Sequence, residues 1–487
     1  MRSYDLVIQG GKVVIPGAGV KRADIGIRGG KIAAIASELP KQTAKQVIDA
    51  TGKHVFPGAV DSHFHIGIYR PFQEDATSES ASAASGGVTT ILTYFRTGKN
   101  YLNQMGPYRK IFPLLKGMSK KAFHVDYGYH LALFTEEHIG EIEWLVRECG
   151  VSTFKYYMFY KLLNLAGSSP EATNYLMIDN PIDLGFLYKF MKEVGRVNHL
   201  YKQHGTIALS IHCENPEIIQ AANEEVKKHP SRNPLKDYSD ARPPWEEELA
   251  INEVGVMAKN TNCPVNLLHL SSRKAVEAGR DVVDRYPEQS FLLEGTLHHL
   301  SLSYEMGLDR MAKVNPPLRS KEDVAYLWDA VLAGTIKTVV SDHACITKAL
   351  KKGDLWTSLP GFGGTALMFP ILITEGYHKR GLSLERIAEL CAANPARAHN
   401  LYPKKGAVMV GSDADFAIVD VAKERKVELK KLHTAQDFNP EEGMKLKGWP
   451  ECTILRGKVI YEKGKVVGEP GDGEYLMRPL ALHEKQG

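Results

Sequence analysis

Two histidines at i and i+2, His63 and His65, stand in the stretch FPGAVDSHFHIG at residues 56–67. An apolar run from His54 to Val60 leads into them and reads as a buried strand. Residues two apart on a strand point to the same face, so both imidazoles can reach one metal ion. Turn-prone residues follow, which puts the pair at a mouth rather than in a core. A packed histidine beside a surface one has the same spacing, so the pair needs support from elsewhere in the chain. Four other residues supply it: Lys155 within VSTFKYYM, His212 in LSIHCEN, His269 in LLHLSS and Asp342 in VVSDHA. Each closes or occupies an apolar run of its own. A charged lysine left unpaired in such a run is costly, so Lys155 must be paired, have a depressed pKa or be modified. Carbamylation by CO2 would make it an anionic carboxylate able to bridge two metal ions. Four imidazoles, one aspartate and that carboxylate form two sites of borderline hardness, suited to Zn2+ ahead of Mn2+ or Co2+.

The elements that must bring these residues together are readable in outline. Between residues 56 and 400, apolar runs alternate with helical patterns. The runs are the first at 54–60, then 88–95, 123–133, 151–159, 206–214, 264–271, 291–297 and 336–342. Eight strands each followed by a helix predict a (β/α)8 TIM-like barrel, whose chemistry collects at the C-terminal ends of the strands. A doubly wound sheet is the alternative, but no G-x-G-x-x-G follows the first run. Residues 1–55 and 413–465 share a different texture, short β-like pieces with glycine turns. Chain termini often lie close together. The expected organisation is therefore a catalytic barrel at 56–400 and a small composite β-sandwich domain from 1–55 and 401–487. Residues 161–183 and 98–121 read as long irregular stretches, which inside a compact domain are usually functional or mobile.

Composition narrows the function classes. The chain has 487 residues, 43% hydrophobic and 24% charged, with a net charge of +4, which is a globular profile. No basic run is long enough for a nucleic-acid footprint, and no apolar run is long enough to span a membrane. The N-terminus lacks a signal-peptide h-region, so a soluble cytoplasmic protein is expected. Six scattered cysteines without framework spacing imply reduced, mostly buried thiols. Cys213 and Cys345 lie near site residues and read as packing neighbours.

The motifs PGAVDSHFHIG, ASGGVTTI, GVSTFKYYMFYK, IHCENPEII, LLHLSS, VNPPLRS, VVSDHA, NPARAHNLYPKKGAVMVGSDADFAIVD and DFNPEEGMKLKGWP occur in that order. Through them the chain resembles the amidohydrolase superfamily nearly end to end, and within it the dihydropyrimidinase/D-hydantoinase group. The resemblance implies one metal on His63, His65 and Asp342, a second on His212 and His269, and an N6-carboxylated Lys155 bridging both with a hydroxide. It implies hydrolysis of a cyclic amide or imide ring to an N-carbamoyl acid by that hydroxide, with Asp342 moving the proton and Tyr160 bonding the oxyanion. It also implies a homotetramer, or a homodimer, and a small-molecule substrate. The substrate-binding positions carried over are Tyr160, Thr296 and Gly361.

Two departures bear on the substrate. The run Glu294-Gly295-Thr296-Leu297-His298-His299-Leu300 replaces the group's usual E-T-(S/C)-P-Q-Y-L pattern, and Gly361-Phe362-Gly363 follows Pro360 where Asn-Gly is usual. Allantoinases, dihydroorotases and other cyclic-imide hydrolases are the alternatives. Dihydroorotases place an arginine where this chain has Gly67. Arg70 and Arg96 are other cations near the mouth and read as structural or rim residues. The superfamily also holds non-catalytic scaffolds, the collapsin-response-mediator proteins, which lack metal ligands; here all six ligand positions are filled.

Overall fold

A computed structural model describes residues 3–98, 100–102, 104, 106–161 and 182–478, with the side chains of Tyr160 and Lys161 left outside the description. Seven unbroken parallel strands run in ring order: Ala59–His65, Val88–Phe95, Asp126–Ala132, Thr153–Tyr157, Ala208–His212, Val265–Leu267 and Phe291–Thr296. The eighth is split in two. Thr338–Val340 pairs with the seventh strand, and His343–Ala344 pairs with the first, His343 opposite Phe64 and Ala344 opposite His65. The broken strand closes the ring, so the sheet is a barrel. Helices cover its outside, which is why strands such as VTTILTYF are buried at every residue and read as continuous apolar runs.

The first barrel strand differs from the expectation. Residues 54–60 are not one strand: His54–Pro57 belongs to the other sheet and the barrel strand is Ala59–His65. The chain changes sheets at Gly58, where a Cβ would lie 2.2 Å from the Thr89 hydroxyl. The histidines therefore lie within the strand rather than beyond it. Residues 98–121 also differ, because Tyr108–Ser119 is a helix whose Tyr108, Ile111, Phe112 and Leu115 pack into the barrel core. The stretch 161–183 lies outside the described residues apart from its two ends.

The second sheet draws on both ends of the chain. His54–Pro57 runs parallel to Tyr4–Ile15 and antiparallel to Phe416–Lys426, which in turn pairs with Lys445–Leu455. Its apolar face, including Leu6, Ile8, Val13, Ile25, Val55, Phe416 and Ile454, forms a core separate from that of the barrel. Lys405 ties the two together. Its buried ammonium lies 2.5 Å from Asp126 at the start of the third barrel strand, and 2.8 and 2.7 Å from Asp413 and Asp415 beside the second sheet.

Candidate metal centre

Short loops with capped helices fix two of the candidate ligands. Three residues after His212, Asn215 caps the helix Pro216–Lys228 by accepting from the Ile218 amide, and Pro216 takes its first position. Three residues after His269, Ser272 caps Arg273–Arg285 in the same way. His63 and His65 hang from the last rungs of the first strand. Asp342 lies in the break of the eighth strand with φ of +51°, and His269 has φ of +36°. Both conformations are unusual for residues with a Cβ, and such strain gathers at functional sites.

Donor atoms of His63, His65 and Asp342 lie within 4.8 Å of one another. Asp342 Oδ1 is 3.0 Å from His65 Nε2 and 3.1 Å from His63 Nε2. The second approach is not a hydrogen bond, since His63 Nε2 has no hydrogen-bond partner. The other His63 nitrogen, Nδ1, lies 2.7 Å from Glu294 Oε1. Beside this group the His212 and His269 rings meet edge to face at 4.4 Å, and His269 lies 5.4 Å from His63. His212 Nε2 is 2.6 Å from Glu214 Oε2, and the other Glu214 oxygen accepts from Arg242 at 3.0 Å. Lys155 is buried between two rings, its Nζ 4.5 Å from the Tyr94 centroid and 4.6 Å from that of Tyr157. Tyr94 also stands 4.6 Å from the His63 ring. The structure thus brings together all six residues, from five different strands.

The electrostatics follow from burial. Burial opposes charge on His63, but Asp342 and Glu294 outweigh it and lift its pKa to about 9. Burial holds His65 down at about 4 and lowers His212 and His269 as well. It pushes Lys155 down to about 7, with Asp342 and Glu294 pulling the other way. A lysine amine neutral near pH 7 is the form that reacts with CO2. A cation fits this donor set. His63 Nε2, His65 Nδ1 and His269 Nδ1 are buried without hydrogen-bond partners, each a cost of about 1–3 kcal/mol unless something else takes it up. Carboxylates grip the far nitrogens of His63 and His212, the arrangement that orients metal-ligating imidazoles.

The substrate positions fare differently. Thr296 is buried, and its hydroxyl lies 2.7 Å from His299 Nδ1 and 3.2 Å from His298 Nε2. Gly361 has φ of +101°, and its amide donates to the Lys313 carbonyl at 2.9 Å. Tyr160 falls in the turn Met158–Lys161 after the fourth strand, and its side chain is outside the described residues. Arg70 bonds Asp75, Ser78 and Cys345, and Arg96 is buried against the Tyr101 ring. Arg319 of the NPPLR motif is buried among Ser239, Arg242 and Ser271, so it serves the scaffold. Gly67 has φ of +81°, and a Cβ there would lie 3.2 Å from Phe72 and 3.3 Å from Tyr101. Sequence reasoning missed Glu214 and Glu294 as partners of the histidines. A usable signal was present for Glu214: an acidic residue two after a strand-end histidine, in a loop too short to reach solvent.

Residues 187–460 match the amidohydrolase family. The chain belongs to that family. A D-hydantoinase of Ralstonia pickettii is 30% identical over 97% of this chain and 99% of its own length. An allantoinase of Desulfitobacterium hafniense is 31% identical over 96% of this chain and 98% of its own. Among solved structures, an L-hydantoinase (dihydropyrimidinase) from Arthrobacter aurescens superposes with a TM-score of 0.84 at 28% identity, covering 97% of this chain and 99% of that one. Amidohydrolases are generally binuclear metal enzymes, and among the described residues His63, His65 and Asp342 form a group able to hold a metal.

Proposed function

We propose that this amidohydrolase opens a cyclic amide or imide ring of the hydantoin or dihydropyrimidine type to an N-carbamoyl acid. The observation that carries the reading is the convergence of His63, His65, Lys155, His212, His269 and Asp342 at one mouth of the barrel. His63, His65 and Asp342 would hold one divalent cation and His212 and His269 the other, with carboxylated Lys155 between them. Zn2+ suits this donor set best. Two such cations, when bound, polarise the ring carbonyl and lower the pKa of water. Asp342 then takes the proton of the attacking water and returns it to the leaving ring nitrogen. Tyr160 hydrogen-bonds the carbonyl oxygen as it gains charge. The same proposal treats 56–400 as the catalytic barrel and the two chain ends as a supporting β domain, in a homotetramer.

An allantoin-like substrate is the second reading. It is favoured by the allantoinase, which matches this chain as well as the D-hydantoinase does. A dihydroorotase is disfavoured, because the position for its arginine is Gly67, already closed over by Phe72 and Tyr101. The test is a turnover panel of hydantoin, 5-aryl hydantoins, dihydrouracil, allantoin, dihydroorotate and cyclic imides, run beside metal analysis and intact mass. Hydrolysis of one ring class with two metals per subunit and a carboxylated Lys155 is expected. Metal-free protein with unmodified Lys155, or metal-loaded protein inert on the whole panel, overturns the proposal.

A further inference from the structure

We propose that Asp61 is a positioning residue that sets Asp342 against His63 and His65 by carrying the join where the barrel closes. The inference rests on the proposed metal site but has its own readouts. The barrel is closed by a strand that is broken at the critical point. Val340 is the last residue paired with the seventh strand and His343 the first paired with the first strand. Ser341 and Asp342 pair with neither, and Asp342 is left-handed. A left-handed backbone is unfavourable for a residue with a Cβ, so the break must be held in place by something other than the sheet.

The Asp61 carboxylate does this. One oxygen accepts from the Ser341 amide at 3.0 Å, and the other accepts from the Ser341 hydroxyl at 2.5 Å and the Thr365 hydroxyl at 2.8 Å. A side chain thus replaces the missing ladder bond. Asp61 precedes His63 by two residues on the first strand, whose register against the second strand shifts between Asp61 and Phe64. The residue that grips Ser341 is therefore two positions from one candidate ligand, and Ser341 adjoins another. The far side of the break is fixed as well. The His343 amide donates to Ser341 Oγ at 3.1 Å. The His343 ring stacks on Phe64 at 4.5 Å, and its Nε2 lies 2.7 Å from Glu79. Glu79 in turn accepts from Thr434 Oγ1 and the Ala435 amide.

Asp61 is fully buried, and among the described residues no lysine or arginine forms an ion pair with it. A buried carboxylate with no lysine or arginine partner is expensive. A hydroxyl-bearing or amide side chain could fill the space at less cost. What the carboxylate alone offers is simultaneous acceptance from the amide and the hydroxyl of Ser341, which removes both the twist and the translation of the residue before Asp342.

The test uses full-length Zn2+-loaded protein and three variants: Asp61→Asn, Ser341→Ala and the double. Asp61→Asn keeps the shape but loses one acceptor. It is expected to lower Zn2+ affinity, measured by competition with a chelating dye, and kcat by about 10–100-fold, with KM little changed. The visible spectrum of the Co2+-substituted protein should shift. Ser341→Ala should move each readout in the same direction by less, and the double variant should be no worse than Asp61→Asn. A lower melting temperature with unchanged Zn2+ affinity and Co2+ spectrum would show Asp61 to be merely structural and sink the idea. Should Asp61→Asn fail to fold, Ser341→Ala decides: an unchanged Zn2+ affinity and Co2+ spectrum there refutes the clamp. If the wild-type protein opens none of the rings above, the proposed function fails, while the Zn2+ and Co2+ readouts still decide the role of Asp61.

Discussion

Glu294 is acceptor to two parts of the candidate centre at once: His63 Nδ1 at 2.7 Å and the amide of left-handed His269 at 3.3 Å. It therefore fixes the ring of one ligand and the backbone of another, across both proposed metal positions. Glu294→Gln should lower metal affinity by about 10–100-fold, because an amide can satisfy one of these donors well but stabilises the bound imidazole less. Isothermal titration of metal-stripped protein with Zn2+ would check this, and an unchanged affinity would contradict it. Lys155 makes a different kind of prediction. Lys155→Ala should lose bound metal and turnover together, and short carboxylic acids should restore part of both by taking the place of the side-chain carboxylate. Rescue by acetate or propionate separates a bridging role from simple packing, since a structural lysine between Tyr94 and Tyr157 would gain nothing from an added anion.

Elements show where sequence reading works and where it stops. Buried parallel strands are apolar on both faces, so six of the eight barrel strands stood out as single runs, and the eighth showed only its first piece, Thr338–Val340. The first strand did not stand out, because His54–Pro57 and Ala59–His65 serve two different sheets with one glycine between them. Nothing in the local pattern marks that change, since the need for glycine comes from Thr89, on the neighbouring strand. The six chemistry-bearing residues were legible because each is a polar side chain at the end of an apolar run or, for Lys155, inside one. Of their carboxylate partners, Glu214 left a local signal but Glu294 did not, because it meets His63 across 231 positions. Gly67 lies between these cases. Its identity was readable, but its packing against Phe72 and Tyr101 is a tertiary fact. Gly67→Arg should therefore not confer dihydroorotate hydrolysis. The left-handed backbone and the contacts at 3.2 and 3.3 Å should cost about 1–3 kcal/mol, read as a lower melting temperature. A stable variant with dihydroorotase activity would show that the loop opens to admit the side chain.

At the scale of the whole molecule, the barrel is held to a second sheet built from both chain ends. The segment NPARAHNLYPKKGAVMVGSDADFAIVD supplies much of that join. Lys405 is fully buried and meets Asp126 of the barrel together with Asp413 and Asp415 of the segment leading into the second sheet. Arg456 reaches Asp126 from a turn of the second sheet. Burial alone would raise the Asp413 pKa, but Lys405, Lys31 and Lys404 outweigh it and hold the carboxyl below its ordinary value. Its contribution is thus present above pH ~4 and is lost as the pH falls through the depressed folded value. Lys405→Met keeps the length of the side chain and removes the charge, taking from Asp415 its lysine partner and leaving Asp413 to Lys31 and Lys404 and Asp126 to Arg456. That should cost about 3–5 kcal/mol at pH 7. In the variant these carboxylates lack their main cation and their folded pKa values rise, so the folded state binds protons more readily than the unfolded one. The variant's stability should then fall as pH rises from 4 to 7, over a range where the wild-type contribution of Asp413 is complete. Urea melts of both proteins at pH 4.5 and pH 7 read this directly: the gap between them should be larger at pH 7. A pH-independent gap would mean that Lys405 acts through packing, and that the ion cluster is not what joins the two sheets.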